Sequence, residues 1–224
     1  MKNYIKSKNE NKFYIEKVIV SIKDKLEHIP LSDVKVAISK SLSKIPSHLL
    51  TNIKNIYVGD FQQLKNRDLE AMYKNSTIYV NNEYKRAEQM IDDIVHEVAH
   101  SVEEVYDNLI YSDKELEKEF LQKRKTMWHL MKSKGYELEL EQFLNTDYDL
   151  QFDKMLYKNV GYPILSALTS EIFYSPYAAT SLREYFASGF EAFFMKEKIK
   201  MLKSISPVLY KKMIILLDIK GEKQ

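Results

Sequence analysis

Two of the chain's five histidines stand four residues apart in His96-Glu97-Val98-Ala99-His100, with a glutamate directly after the first. On an α-helix turning about 100° per residue, His96 and His100 fall about 40° apart in projection and one turn apart along the axis. Imidazoles so arranged can share one metal ion. Glu97 lies about 60° from His100 in the same projection, near enough to hold a water on that metal without being a ligand itself. Residues of these types at this spacing suit hydrolysis by a zinc-activated water. The plainer alternative is a buried helix whose histidines are hydrogen-bonded and whose glutamate is solvated.

A catalytic zinc usually has three protein ligands and one water, so the motif is half of a site. The chain has no cysteine, and His28, His48 and His129 stand outside any suitable local context, which makes a carboxylate the expected third ligand. The best placed is Glu184, in the first turn of the amphipathic stretch Ser181-Leu182-Arg183-Glu184-Tyr185-Phe186-Ala187-Ser188-Gly189-Phe190-Glu191-Ala192-Phe193-Phe194. Ser181 and Glu184 also have the spacing of a capping box, which would account for Glu184 with no metal. Both readings stand on the residues alone.

The elements that must position these residues follow from periodicity. Met90, Ile91, Ile94, Val95, Val98, Ala99 and Val102 recur at three- and four-residue steps, so an apolar stripe runs beside the histidines, and nothing from residue 83 to 106 breaks the helix. Upstream, residues 55–58 (NIYV), 71–73 and 77–80 (TIYV) read as strands, the last two separated by the turn residues Asn75 and Ser76. The strand Thr77, Ile78, Tyr79 and Val80 is the candidate edge on which an extended peptide would bind by strand addition; a strand paired on both sides is the alternative. Residues 11–28 have helical spacing, and Ser32 is a plausible N-cap for a second helix through residue 43, giving a helical cover over 1–45 ahead of a core over 46–224. Downstream, Ser112-Asp113-Lys114-Glu115 reads as a capping box for a charged helix over 113–134 that Gly135 closes, with Trp128 and His129 as core or groove residues. Helical spacing returns over 152–157, 163–173 and 208–218, and Tyr136 to Asp149 is irregular.

Composition bounds what such a site can serve. A length of 224 residues suits a single domain, and 45% hydrophobic with 12% aromatic residues is globular. Few Gly and Pro, five of each, favour long helices over tight turns, so the expected class is α+β, mostly helical, with a small sheet. Lys and Arg total 34 against 32 Asp and Glu, a formal charge of +2 that gives no argument for nucleic acid or an anionic membrane. The absence of cysteine removes disulfides and thiolate sites together. The basic start has no apolar core of signal length and no stretch approaches 18 apolar residues, so the expectation is a soluble protein that is cytoplasmic or virion-associated as written, or secreted if a signal was removed.

HEVAH followed by EYFASGFEAFF, with Tyr177 seven residues before Glu184, resembles the catalytic domain of the anthrax lethal factor family and the related clostridial Pro-Pro endopeptidases. These are zinc endopeptidases with a zincin-like fold, and the likeness spans residues 55–194. It implies His96, His100 and Glu184 as ligands of a zinc ion, Glu97 as catalytic base, Tyr177 as a hydroxyl near the metal, and a peptide or protein as substrate. One position departs. Where the family usually has a second glutamate four residues after the ligand, this chain has Ser188. A carboxylate there would orient a zinc histidine, and its loss implies either a weaker metal site or compensation by Asp93 or Glu191. Two functions follow: a zinc endopeptidase, or a zincin-fold structural or binding protein, for example one carried by a phage or mobile element, that has given up proteolysis.

Overall fold

Residues 12–22, KFYIEKVIVSI, carry two periodicities at once: apolar residues at helical spacing, and a β-branched run in which alternate residues form one face. In the computed structural model, which describes residues 11–196 and 199–219, the second wins. Strand β1 (Lys12–Ile15) and strand β2 (Val18–Ile22) form an antiparallel hairpin, turned at Glu16 with φ 53°. The helix expected over 11–28, and with it an all-helical cover over 1–45, is therefore corrected. Val18, Val20 and Ile22 are buried every second residue, and β2 pairs in parallel with the next strand, which a helix there could not do. Residues 1–10, including the basic start, lie outside the described residues.

The fold is α+β and mostly helical, with one mixed five-stranded sheet. The chain packs as two compact units, Met1–Val105 and Tyr106–Gln224. In the first, helix α1 (Leu31–Ser43) follows the hairpin with Pro30 as its N-cap, so Ser32 lies inside the helix and its hydroxyl donates to Asp33. Strand β3 (Asn55–Gly59), the short helix α2 (Gln62–Lys65), strand β4 (Ala71–Lys74) and strand β5 (Thr77–Asn81) complete the sheet. Its order is β1-β2-β3-β5-β4. Asn75 and Ser76, both at positive φ, make the tight turn between β4 and β5. Strand β5 is parallel to β3 on one side and antiparallel to β4 on the other, so Thr77, Ile78, Tyr79 and Val80 are not an edge. The edge beside them is β4, because the hairpin folds it outward.

Helix α3 (Ala87–Tyr111) follows, with its helical backbone interrupted at Tyr106 (φ −113°, ψ 20°). Its stripe is fully out of water at Met90, Ile94, Val95, Val98 and Ala99, as are Val34, Ala37, Ile38 and Leu42 of α1 and Ile56, Val58, Ile78 and Val80 of the sheet. The Ser41 hydroxyl donates to the carbonyls of Ala37 and Ile91, tying α1 to α3.

The second unit is helical. Helix α4 (Glu115–Ser133) starts after Lys114 in a left-handed conformation (φ 60°), and the Glu115 N–H is taken by Asp113, so the capping box expected on Ser112 does not form. Its end is as expected: Gly135 at φ +89° lets the Gly135 and Tyr136 N–H groups return to Lys132 and Met131. Trp128 is half-buried and donates to the Leu138 carbonyl, whereas His129 is exposed and is neither core nor groove. Helices α5 (Leu140–Leu144) and α6 (Leu150–Lys154) lead through a π-helical turn, Met155–Val160, to α7 (Tyr162–Thr169). A 3₁₀ turn (Tyr177–Ala179) precedes α8 (Leu182–Phe194), and α9 (Ile199–Ile205) and α10 (Pro207–Asp218) close the chain. A Cβ on Gly189 would stand 2.2 Å from Leu209, so this glycine sets how closely α8 approaches α10. No helix among the described residues is long and apolar enough to cross a membrane.

Candidate metal centre

Helix α3 holds the HEVAH residues as the spacing requires. The His96 and His100 rings lie 5.2 Å apart between centroids, at 77° to one another. Glu97 and His100 are each 9% exposed, so both are reached from solvent without being surface groups. One Glu97 oxygen, Oε2, accepts the backbone N–H of Tyr73 at 2.5 Å, on the side of β4 turned away from β5. The Tyr73 hydroxyl in turn donates to Glu104 at 2.5 Å, and Asn52 donates to both that hydroxyl (2.7 Å) and Glu104 (3.2 Å). Partial burial, then the bond to Glu104, pushes the Tyr73 phenol up to about 12. Edge strand and helix are thus joined at one residue, by its backbone and by its side chain.

His100 has a partner that the sequence reading missed. Its Nδ1 lies 2.7 Å from Oε2 of Glu103, which is only 4% exposed. The signal was present, since residues three apart on a helix share a face, but Glu103 and Glu104 are adjacent and sequence alone does not tell which turns inward. Of the carboxylates expected to compensate for Ser188, Asp93 accepts the Tyr84 hydroxyl at 2.6 Å, and Glu191 is half-buried on α8. Burial, then the charge of Asp93, pushes the Tyr84 phenol far above its ordinary value.

In the second unit, Glu184 sits half-buried in the first turn of α8. Ser181 is the N-cap, its hydroxyl accepting the Glu184 N–H at 3.2 Å, so the serine half of a capping box is present and shapes the backbone from which the Glu184 carboxylate extends. Tyr177 heads the 3₁₀ turn and is half-buried. That turn is fixed from two directions. Arg124, 1% exposed, donates to the carbonyls of Ala179 (2.5 Å) and Thr180 (3.3 Å) as well as Gln142 (2.6 Å) and Phe143 (3.2 Å), and lies 4.0 Å over the Phe152 ring. Burial lowers its pKa, with Asp149 opposing, yet carbonyls and a π-face are what a guanidinium needs to stay charged out of water. Ser188 is also buried, its hydroxyl 3.4 Å from that of Ser175, which accepts the Ala178 N–H at 3.2 Å. At the position where the resemblance implies a carboxylate, this chain therefore has a neutral link to the Tyr177 turn.

His96, His100 and Glu184 form a group: one ligand atom from each lies within 4.8 Å of the other two. Metal–ligand bonds of about 2 Å put donors on one ion roughly 3.5 Å apart, so a spread of up to 4.8 Å is of the order a zinc site needs, and imidazole with carboxylate is a donor set zinc accepts. No family model, no curated protein and no solved structure matches the chain.

Proposed function

We propose that the protein is a zinc endopeptidase of the lethal factor-like zincin type, with His96, His100 and Glu184 holding the metal and Glu97 as general base. The observation that carries this is the grouping of two histidines with a carboxylate read from a separate stretch of sequence, all three donor atoms lying within 4.8 Å. Zinc held by this set supplies Lewis acidity toward water and toward a carbonyl oxygen.

The chain's own residues account for the rest. Glu97 has one oxygen fixed by the Tyr73 N–H, which leaves the other for the attacking water. It takes the water's proton as the carbonyl is attacked and hands that proton to the leaving amine. The Tyr177 hydroxyl donates a hydrogen bond to the oxygen on which charge develops, an interaction strongest in the transition state. An extended peptide is placed along β4 rather than β5, since β4 is the strand at the edge of the sheet; its Tyr73 N–H is already given to Glu97 and is not among the donors offered to the peptide.

The test is a peptide-library digest on zinc-loaded protein. Glu97→Ala is expected to keep the fold and one equivalent of zinc by elemental analysis and to cleave nothing, while His96→Ala and Glu184→Ala lose the metal. Cleavage by Glu97→Ala at the parent's rate would overturn the mechanism. The second reading is a zinc-holding binding protein without proteolysis, favoured by the neutral Ser188–Ser175 link at the position where a carboxylate is implied. It predicts one equivalent of zinc and an untouched library.

A further inference from the structure

Helix α3 carries two consecutive acids just beyond the HEVAH motif, and the structure sends them in opposite directions. Glu104 is exposed and bonds the Tyr73 hydroxyl of β4. Glu103 is turned inward, 4% exposed, with Oε2 at 2.7 Å from Nδ1 of His100. A carboxylate withdrawn from water is costly unless it is paired and hydrogen-bonded. The imidazole N–H of His100 supplies that pairing one turn away on the same rigid helix.

From this geometry we infer that Glu103 is the positioning residue of His100: it accepts the Nδ1 proton, fixes the ring's tautomer and rotation, and leaves the Nε2 lone pair directed outward as a metal donor. The inference rests on the metal-site reading proposed above for its purpose, but the contact itself does not depend on a metal. It also explains how the chain tolerates Ser188. The negative charge behind His100 comes from α3 itself, three residues after the ligand. Ser188 is then available for the link to Ser175 that holds the Tyr177 turn. Glu103 touches neither substrate nor reacting atoms in this arrangement, so its effect on the metal passes through the contact with His100: a correctly turned imidazole binds metal more tightly.

Two readouts test this. Nitrogen-15 spectra of the histidine rings in metal-free protein are expected to show His100 with its proton on Nδ1 in the parent and in Glu103→Gln, which keeps an acceptor, and to lose that preference in Glu103→Ala. Zinc affinity, measured by competition with a chromophoric chelator, is expected to fall about 10 to 100 fold in Glu103→Ala, with Glu103→Gln in between. Glu104→Ala serves as the neighbouring control and keeps the parent's affinity. A merely structural Glu103 would lower the melting temperature in both variants and leave zinc affinity unchanged in the folded fraction. The inference is overturned if His100 carries its proton on Nε2 in the parent, or if both Glu103 variants bind zinc as tightly as the parent. A parent that binds no zinc removes the metal-site reading, and the tautomer still decides whether Glu103 governs His100. Should Glu103→Ala fail to fold, the parent's tautomer and the Glu103→Gln affinity decide it.

Discussion

Glu97 and Tyr177 take their placement from backbone, and this determines how each will respond to mutation. One oxygen of the Glu97 carboxylate is held by the Tyr73 N–H, a donor that no substitution except proline removes. Tyr177 heads a turn whose carbonyls at Ala179 and Thr180 are held by Arg124 and whose Ala178 N–H is held by Ser175. Removing the phenol oxygen therefore leaves the turn's anchors in place. On the proposed mechanism, Tyr177→Phe is expected to lower kcat about 10² to 10³ fold, the usual loss for one donor to a developing oxyanion, with KM and zinc content near the parent's. A KM effect with kcat intact would instead make Tyr177 a substrate contact. The hydroxyl of Thr180 also returns to the Tyr177 carbonyl at 2.8 Å, so the turn keeps its shape in the variant.

Strand β4 is four residues long, and one of them, Tyr73, joins it to α3. Because the Tyr73 phenol is raised from about 10 to about 12, it must be protonated to donate to Glu104. Its contribution is complete below pH 10 and is lost as the pH climbs through 12. Tyr73→Phe is expected to cost about 0.5–1 kcal/mol near neutrality, discounted for its exposure, and to shrink the fall in urea midpoint between pH 10 and 12 relative to the parent. Equal falls in both proteins would mean that the bond to Glu104 adds nothing. Much at this scale was legible in sequence. Strands 55–58, 71–73 and 77–80, the HEVAH helix and the Ser181 cap were read from residue type and spacing, because each is decided within a few residues. Pairing is not. Residues 12–22 satisfied two periods, and only the partner strand β3 decided between them. Strand β5 looked like an edge until the β4 hairpin covered it. Glu103 and Glu104 are chemically the same, and the helix's rotation against the core chose which one meets His100.

Across the whole molecule, a net charge of +2 leaves little general repulsion, so pH acts on stability through local buried groups. Lys123 on α4 is the clearest. It is 9% exposed, donates to the carbonyls of Ile172 (2.5 Å) and Ile205, and lies 5.8 Å from the Phe173 and Tyr185 rings. Burial lowers its pKa from 10.5 to about 8, with Glu119 opposing. The unfolded chain keeps that proton up to about 10.5, so between pH 8 and 10 the unfolded state binds more protons and stability rises with pH. Tyr185 works in the other direction. Burial and Glu119 raise its phenol far above 10, it must stay protonated to donate to Glu119 at 2.8 Å, and stability is lost above pH 10 as the unfolded phenol ionises. Stability is expected to climb from pH 8, peak near 10, and fall beyond it. Net stability is only about 5–15 kcal/mol, so a change of one or two is measurable. In Lys123→Met the climb should shrink by about 1–2 kcal/mol between pH 8 and 10 while the alkaline fall remains, as read from urea midpoints at each pH. The methionine leaves two carbonyls without a donor and lowers stability at every pH, so the comparison rests on slope and not on level. Parallel curves for parent and variant would show that the Lys123 ammonium keeps its water in the folded state.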